Sequence, residues 1–168
     1  DRFTVNYRGE AAFQTDYADN PQEYRAEYYN VEAGAAVKPV AFGAGYEVLG
    51  TDSNDNGAGG VGFKTPLATL HAFNGWSDVF LATPARGLRD IYGYVQFDLP
   101  SRIPLRGIYH QYEADGGGAD FGREFNVQAT RKFGKYWSAL LKYGYYDGED
   151  APYAFSLHKF WAQIEFNF

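Results

Sequence analysis

Three histidines and one nearby serine are the first residues to consider for chemistry, because imidazole and hydroxyl groups support general-base and nucleophilic catalysis. The histidines are His71, His110 and His158, and Ser156 stands just before the last of them. No obvious third partner accompanies Ser156 and His158, and neither a nucleophile elbow nor a phosphate-binding loop is present. The 168-residue chain has no cysteine, which excludes disulfides, thiol catalysis and cysteine-ligated zinc. We therefore predict no enzyme activity and no cofactor.

The stretch DSNDNG resembles the beginning of a calcium-binding loop. Asp52, Asn54 and Asn56 stand at alternate positions, and Gly57 follows them. Such a loop also needs a bidentate glutamate at its twelfth position, where this chain has Phe63. A turn rich in Asn, Asp and Gly explains the same letters without a metal. We predict no metal site and keep Asp52, Asn54 and Asn56 as an incomplete calcium candidate.

Charge and hydropathy narrow the class of protein. The net charge is −6 and the isoelectric point is near 5.0, which argues against a nucleic-acid-binding protein. No apolar run approaches the length of about 18 residues that a membrane-spanning helix needs. Mean hydropathy is −0.45, a value that a membrane barrel also gives because its strands average an apolar and a polar face. Asp1 leads directly into a strand pattern, so we expect a mature chain or a fragment of a longer one.

Alternation of side-chain character along the chain predicts β-strands. In the closing stretch KFWAQIEFNF, for example, the apolar residues occupy every second position from Phe160 to Phe168. The period of two recurs often enough for about eight strands, each near the length of a membrane-spanning strand. The alternating segments are 2–17, 24–37, 40–51, 88–99, 103–113, 124–132, 136–146 and 159–168.

The connections between these segments alternate in length. Three are short, at 38–40, 100–104 and 132–136. Four are longer and mostly polar, at 18–23, 52–87, 113–123 and 147–156. An up-and-down sheet collects short turns at one end and long loops at the other, as in outer-membrane barrels. The chain is therefore predicted to be one all-β domain over 1–168, a transmembrane antiparallel up-and-down β-barrel with a long external loop at 52–87.

Two kinds of barrel fit this alternation, and they differ in what the apolar face contacts. A soluble eight-stranded barrel, such as a lipocalin-like binder, would bury that face inside. The other face carries bulky tyrosines and opposite charges, which suit a wet or salt-bridged lumen, so we expect the apolar face to contact lipid. The predicted lumen-lining residues are Arg8, Glu10, Glu32, Glu47, Asp90, Arg106, His110, Glu124, Lys142, Lys159 and Glu165.

The number of strands decides what such a lumen can do. Eight closed strands leave an interior just wide enough for side chains, and salt bridges would plug it. A larger barrel would use the same charges to line an aqueous channel. Both alternatives stay open: a channel, and a non-conducting barrel with a structural or interaction role.

The apolar part of the long loop has a predicted structure of its own. Thr65 and Pro66 are typical of a helix start, so we predict a short helix from Leu67 to Phe73. A loop this apolar either folds into the lumen as a constriction or packs on the rim of the barrel. The candidate constriction residues are Leu67, Leu70, His71, Phe73 and Trp76.

The stretch GFKTPLATLHAFNGWSDVFLATPARGLRDIYGYV resembles the alginate-export family of bacterial outer-membrane β-barrels. The stretches ADNPQEYRAEYYNVEAG, GAGYEVLG, RKFGKYWSALLKYGYYDG and KFWAQIEFNF are similar to the same family. The resemblance implies the C-terminal portion of a barrel of up to about 18 strands, in the outer membrane of a Gram-negative bacterium. It also implies a signal for the barrel-assembly machinery, formed by Phe160, Ile164, Phe166 and Phe168.

The predicted function combines the barrel with this resemblance. The lumen of alginate exporters is similar to a basic funnel, whereas the lumen predicted here is mixed in charge and rather acidic. We therefore expect a porin-like channel for small hydrophilic solutes in place of alginate itself. Its expected partners are outer-membrane lipid, the barrel-assembly machinery and those solutes, and a homo-oligomer stays open.

Overall fold

Eight β-strands joined in chain order form the fold. The structure is a computed structural model that describes residues 3–52, 60–68, 71, 73–100 and 103–168. The strands are β1 Thr4–Thr15, β2 Arg25–Val37, β3 Val40–Leu49, β4 Leu88–Leu99, β5 Ile103–Glu113, β6 Asp120–Phe133, β7 Trp137–Asp147 and β8 Ser156–Phe166. Each strand pairs antiparallel with the next, so the predicted up-and-down arrangement in one sheet is confirmed.

The connections give the sheet two different ends. The connections after β2, β4 and β6 are short and lie at one end, called here the short-turn end. The connections after the odd-numbered strands are longer and lie at the opposite, long-loop end. The main buried cluster is at the long-loop end, where Phe80 of the 50–87 connection packs with residues from or next to the strand ends. These residues are Leu49, Leu88, Tyr112, Ala114, Phe121 and Tyr146.

One face of the sheet is apolar and exposed, and it is called here the apolar face. Val31, Phe97, Leu141 and Ile164 lie on it, and their exposed fractions range from 43% to 76%. These four side chains therefore do not form the dry core that a soluble barrel would need. Burial of side chains occurs instead on the opposite side of the sheet, called here the polar face.

The eight strands do not close on themselves. β1 and β8 are the two edges of the sheet and do not pair with each other. The alternative of a barrel closed by these eight strands is therefore not formed, whereas a larger barrel stays a prediction. The physical reason is volume: an eight-stranded barrel has room for its own inward side chains only. Here the polar face also receives backbone of the long loop near Trp76 and Ser77.

One short piece of the long loop is attached to two distant strands. Asn74 donates a hydrogen bond to Glu47 on β3, and four residues later Asp78 accepts one from Lys159 on β8. These strands are five places apart in the sheet order, so the segment extends across the polar face.

The described residues contain no α-helix, so the helix predicted over Leu67–Phe73 is not formed by the part of it that is described. The chain makes a turn there, in which the amide of Ala68 donates to the carbonyl of Thr65 at 3.1 Å. A helix of two turns is marginal by itself. His71 contacts Asp78 and, on the sheet, Lys142. Leu70 lies outside the described residues. Nowhere in the described ranges is there a helix long and apolar enough to cross a membrane.

Candidate functional site

The structure places all the predicted lumen-lining residues on the polar face. Cross-strand partners in a sheet project to the same side. One row across the sheet contains Arg8, Glu32, Gly45, Tyr92, His110 and Glu124. A second row contains Glu10, Asn30, Glu47, Asp90 and Tyr112. Lys142, Lys159 and Glu165 follow on β7 and β8, in the same alternation. That this face encloses a lumen stays a prediction.

Glu47 is a hydrogen-bond centre near the long-loop end of the polar face. Its Oε1 accepts from the Tyr28 hydroxyl at 3.0 Å and from Asn30 Nδ2 at 3.1 Å. Its Oε2 accepts from Asn74 Nδ2 at 2.8 Å. Only 6% of Glu47 is exposed, and a buried carboxylate is costly unless donors satisfy it. Because Asn74 belongs to the long loop, satisfying Glu47 also attaches the loop to β3.

Asp90 and His110 form a buried pair on β4 and β5. The Nδ1 of His110 lies 2.8 and 3.0 Å from the two carboxylate oxygens of Asp90. The imidazole stacks on Tyr112 with 5.4 Å between ring centroids, and the Tyr92 ring lies 5.7 Å away. In the described part of the chain no hydroxyl nucleophile bonds to His110. The contacts therefore fix the orientation of the imidazole and assemble no catalytic triad.

The backbone of the long loop lies directly on β6. The Trp76 amide donates to Asn126 Oδ1 at 3.3 Å, and the Ser77 amide donates to Glu124 Oε1 at 2.8 Å. Glu124 and Asn126 are fully buried, and Trp76 is 7% exposed. A buried carboxylate that accepts from a backbone amide holds that backbone at a fixed position. These two contacts therefore seat residues 75–77 on the sheet.

Two glycines allow this close approach. Gly75 has φ +86, and a Cβ there would lie 2.5 Å from both Glu124 Oε2 and the Tyr112 hydroxyl. On β7, a Cβ at Gly144 would lie 2.7 Å from Ser77 Oγ. Glycine tolerates the positive φ and leaves room for the facing backbone. The loop and the sheet can touch here because a glycine stands on one side of each contact, opposite a side chain on the other.

Asp78 ties the loop to β8. Its Oδ2 accepts from Lys159 Nζ at 2.6 Å, and its Oδ1 lies 2.6 Å from His71 Nδ1. The residue has φ 59, a conformation that aspartate adopts more readily than most residues. Burial acts to raise the pKa of Asp78, but hydrogen bonds and charge from Lys159 and His71 outweigh it, and the pKa lies below its usual value. We expect Asp78 to be ionised at neutral pH.

Asp78, Lys159 and His71 together are called here the Asp78 clamp, and lysines and aromatic rings surround it. Lys142 Nζ lies 3.3 Å from His71 Nε2 and 4.8 Å from the ring centroid of Trp76. Trp161 donates from Nε1 to the Trp76 carbonyl at 3.3 Å, and Lys159 Nζ lies 4.9 Å from the Trp161 ring. The β7–β8 side of the polar face is thus basic. The carboxylates of Glu32, Glu47, Asp90 and Glu124 lie on β2, β3, β4 and β6.

A cavity of about 180 Å³ separates the loop from the first five strands. Its walls carry charges of both signs and aromatic rings. The residues that matter below are Arg8, Glu32, Phe73, Trp76, Tyr92 and Arg106. Trp76 lines this cavity, and its ring is also approached by Lys142, which lies beside His71.

The other candidate residues have different positions. Leu67 is 98% exposed and Phe73 is 50% exposed, so only Trp76 of the described apolar constriction candidates is buried. Asp52 is buried and its Oδ1 accepts from the Arg25 amide at 3.2 Å, while Asn54 and Asn56 lie outside the described residues. No group of three His, Asp or Glu side chains suited to a metal is found in the described ranges.

The remaining two predictions concern β8. Ser156 Oγ donates to Asp147, and His158 Nδ1 lies 2.8 Å from the Tyr143 hydroxyl, so serine and histidine have separate partners. The residues predicted as an assembly signal are each at least half exposed and end the chain on the apolar face. They are Phe160, Ile164, Phe166 and Phe168.

Three residues that hold the loop are absent from the sites predicted by sequence: Asn74, Ser77 and Asp78. Ser77 acts through its backbone amide, so its side-chain type carries no signal. Asp78 could have been identified from the sequence, because it is the only carboxylate between residues 60 and 87. A single acid in an apolar loop needs a cationic partner when it is buried.

No protein-family model matches the chain, and no curated protein or solved structure is significantly similar to it. Function therefore has to be inferred from the chemistry of the two faces.

Proposed function

We propose that the chain is part of an outer-membrane β-barrel that acts as a porin-like channel for small hydrophilic solutes. The carrying observation is the exposure of apolar side chains along the sheet, from Val31 on β2 to Ile164 on β8, opposite a polar face with buried charges. A large contiguous apolar surface is unfavourable in water and marks a contact surface. Lipid would cover this whole apolar surface, because the apolar residues recur on successive strands.

The strand dimensions support a membrane location. The strands have 10 to 14 residues. At roughly 3.3 Å per residue and a tilt near 40°, a strand of about 10 residues covers the apolar band of roughly 25 Å. The resemblance to the alginate-export family supports the same location, the outer membrane of a Gram-negative bacterium.

The open edges favour a barrel larger than these eight strands. Unpaired backbone at β1 and β8 would cost several kcal/mol per group in lipid, so spanning sheets have to close. We infer that further strands, from the same polypeptide or from a second copy, complete the barrel. A larger circumference also leaves space beside the loop, which a channel requires.

The long loop then acts as the constriction. It lies on the polar face, and Trp76 and Asp78 would be in the space enclosed by the complete barrel. Solutes would pass between acidic side chains on β2–β6 and the lysines of β7 and β8. Selection would depend on size and on this mixed set of charges.

One observation favours the alternative, a non-conducting barrel with a structural or interaction role. The cluster around Phe80 fills the polar face at the long-loop end. The two functions differ in a direct measurement of current.

The experiment is reconstitution of the full chain in planar lipid bilayers. A channel gives stepwise currents in potassium chloride, and heat-denatured protein from the same preparation serves as the control. Extraction of the outer-membrane fraction with alkaline carbonate tests the location separately, because an embedded barrel stays in the pellet. Protein that stays in the pellet but gives no stepwise current would contradict the channel and support the structural or interaction role. Protein released by carbonate would contradict both proposals.

A further inference from the structure

We infer that the 180 Å³ cavity beside Trp76 binds a small zwitterion, a solute with one carboxylate and one ammonium group. The inference rests on the proposed function, because the cavity lies between the loop and the wall of the proposed channel. It names the class of solute that this channel would hold at its narrowest part.

The positive half of the site consists of Arg106 and Arg8. Arg106 lines the cavity, and its guanidinium lies 4.6 Å from the ring centroid of Tyr94 without a hydrogen bond to any described residue. Arg8 lies opposite Glu32 across β1 and β2; it is 3.5 Å from Asn30 and 3.9 Å from Glu10, and it also interacts with Tyr92. A guanidinium has five donors in a planar fork that matches a carboxylate. Both arginines therefore have donors left for an anionic group.

The negative half of the site is Glu32. Its Oε2 accepts from the Tyr92 hydroxyl at 2.7 Å. Glu47 also lines the cavity, but protein donors already occupy both of its oxygens. An ionised carboxylate has about four acceptor positions, so Glu32 can accept from a solute while it keeps its bond to Tyr92. An ammonium group is the donor that such a carboxylate binds most strongly.

The size and walls of the cavity restrict the solute further. A cavity of 180 Å³ holds on the order of ten water molecules, at roughly 10–15 Å³ for each. A solute with about that number of non-hydrogen atoms fits. The rings of Trp76 and Tyr92 offer apolar surface to its carbon chain, and the hydrogen bond from the Trp76 backbone amide to Asn126 Oδ1 holds the Trp76 backbone in place. Little ordering of the protein is then needed on binding.

The two charged halves discriminate against solutes with a single charge. An anion of the same size would pair with the arginines, but its other end would place an anionic or uncharged group beside Glu32. A cation would face the reverse mismatch with Arg8 and Arg106. Specificity of this kind comes from charges left unpaired in the wrong complex. A zwitterion pairs both halves together.

The test uses the full chain in detergent micelles and three probes with the same carbon skeleton: 4-aminobutyrate, butyrate and butylammonium. Binding is measured by titration calorimetry and by intrinsic tryptophan fluorescence, to which Trp76 contributes together with Trp137 and Trp161. We expect 4-aminobutyrate to bind at least about tenfold more tightly than the other two, which corresponds to one lost charge-assisted hydrogen bond. Equal binding of the three probes, or no binding of any, would overturn the inference on the unmodified protein.

Variants locate the site. Arg106→Gln and Glu32→Gln should each weaken 4-aminobutyrate binding by at least about tenfold. The matched control is Arg131→Gln, because Arg131 is exposed on β6 in the opposite alternation and should not affect binding. Unchanged affinity in both site variants would place the solute elsewhere and overturn the inference.

The channel proposal is measured separately, as conductance in potassium chloride without any probe. Conductance without a preference for the zwitterion removes this inference and leaves the channel. Selective binding without conductance would contradict the channel proposal and leave a binding site in a non-conducting barrel.

Discussion

The ammonium nitrogen of Lys159 lies 2.6 Å from Oδ2 of Asp78 and joins the long loop to the last strand. The other oxygen of the same carboxylate lies 2.6 Å from His71 within the loop. Asp78 thus fixes the loop internally and attaches it to the sheet. Four residues earlier, Asn74 makes the corresponding attachment to Glu47 on β3. Two polar contacts hold the ends of a segment whose middle rests on β6.

Replacing Asp78 with asparagine should release this end of the loop. The change removes the charge that Lys159 and His71 share, and charge-assisted hydrogen bonds contribute about 1.5–3 kcal/mol each in buried settings. Lys159 is partly exposed, so we expect the free energy of unfolding to fall by about 1–3 kcal/mol in total. Urea unfolding from lipid vesicles measures it. Asp19→Asn, an exposed carboxylate of the 16–24 connection, is the control and should change stability little. Equal stability of D78N and the unmodified chain would show that the clamp contributes nothing.

The stabilisation by Asp78 should depend on pH in one direction. Its pKa lies below the usual value, so the folded chain binds this proton less tightly than the unfolded chain. The stabilisation is then fully present above the ordinary carboxyl pKa of about 3.9 and is lost as pH falls through the lower folded value. The measurement is the difference in unfolding free energy between the unmodified chain and D78N from neutral to acid pH. We expect a constant difference near neutrality that shrinks in acid; a difference that grew on acidification would contradict the clamp.

Gly75→Ala should push the loop away from β6. Alanine at φ +86 is strained, and its Cβ would lie 2.5 Å from Glu124 Oε2 and the Tyr112 hydroxyl. Gly118→Ala is the matched control, since Gly118 also has positive φ, +64, but has nothing within 4 Å of the added carbon. We expect a loss of about 1 kcal/mol for the control and clearly more, about 2–4 kcal/mol, for Gly75→Ala. Near-equal losses would mean that the loop does not rest on Glu124.

Two adjacent leucines test which face contacts lipid. Leu141 on β7 belongs to the apolar face, and Leu140 projects to the polar face beside Gln163. Arginine on a lipid-facing position near the bilayer centre costs about 2–4 kcal/mol, whereas a position facing an aqueous interior tolerates it. Leu141→Arg should therefore lower the unfolding free energy in vesicles by that amount, and Leu140→Arg by much less. The reverse order would invert the assignment of the two faces.

The strands could be predicted because a period of two is local information. On each strand an apolar residue is followed by another apolar residue two positions later, and this pattern can be recognised without knowledge of the tertiary contacts. The end-to-end alternation of short and long connections follows from antiparallel pairing alone. Both depend on distances of a few residues in sequence, and both agree with the structure in the strand order and, within a few residues, in the bounds.

Closure and the loop could not be predicted in this way, because they depend on contacts between distant residues. A count of eight strands implies a small barrel, but it takes no account of the volume of a loop seated inside. Thr65 and Pro66 and the spacing of the apolar residues after them favour a helix locally, whereas contacts such as His71 with Lys142 act across 71 positions. Lumen-side charges could be assigned to one face from alternation, whereas their pairing, such as Asp90 with His110, depends on the register between strands.

The order in which partners become available has a consequence for assembly. The loop is complete before any of the strands from β4 onward exists, and Glu124 and Lys159 stand 47 and 81 positions after Ser77 and Asp78. Contacts between groups so distant in the chain form late, because closing long segments is entropically unfavourable. We therefore expect the loop to dock only after the strands that carry these partners have paired. Its engagement with Lys159 would mark the moment at which the final hairpin has found its register.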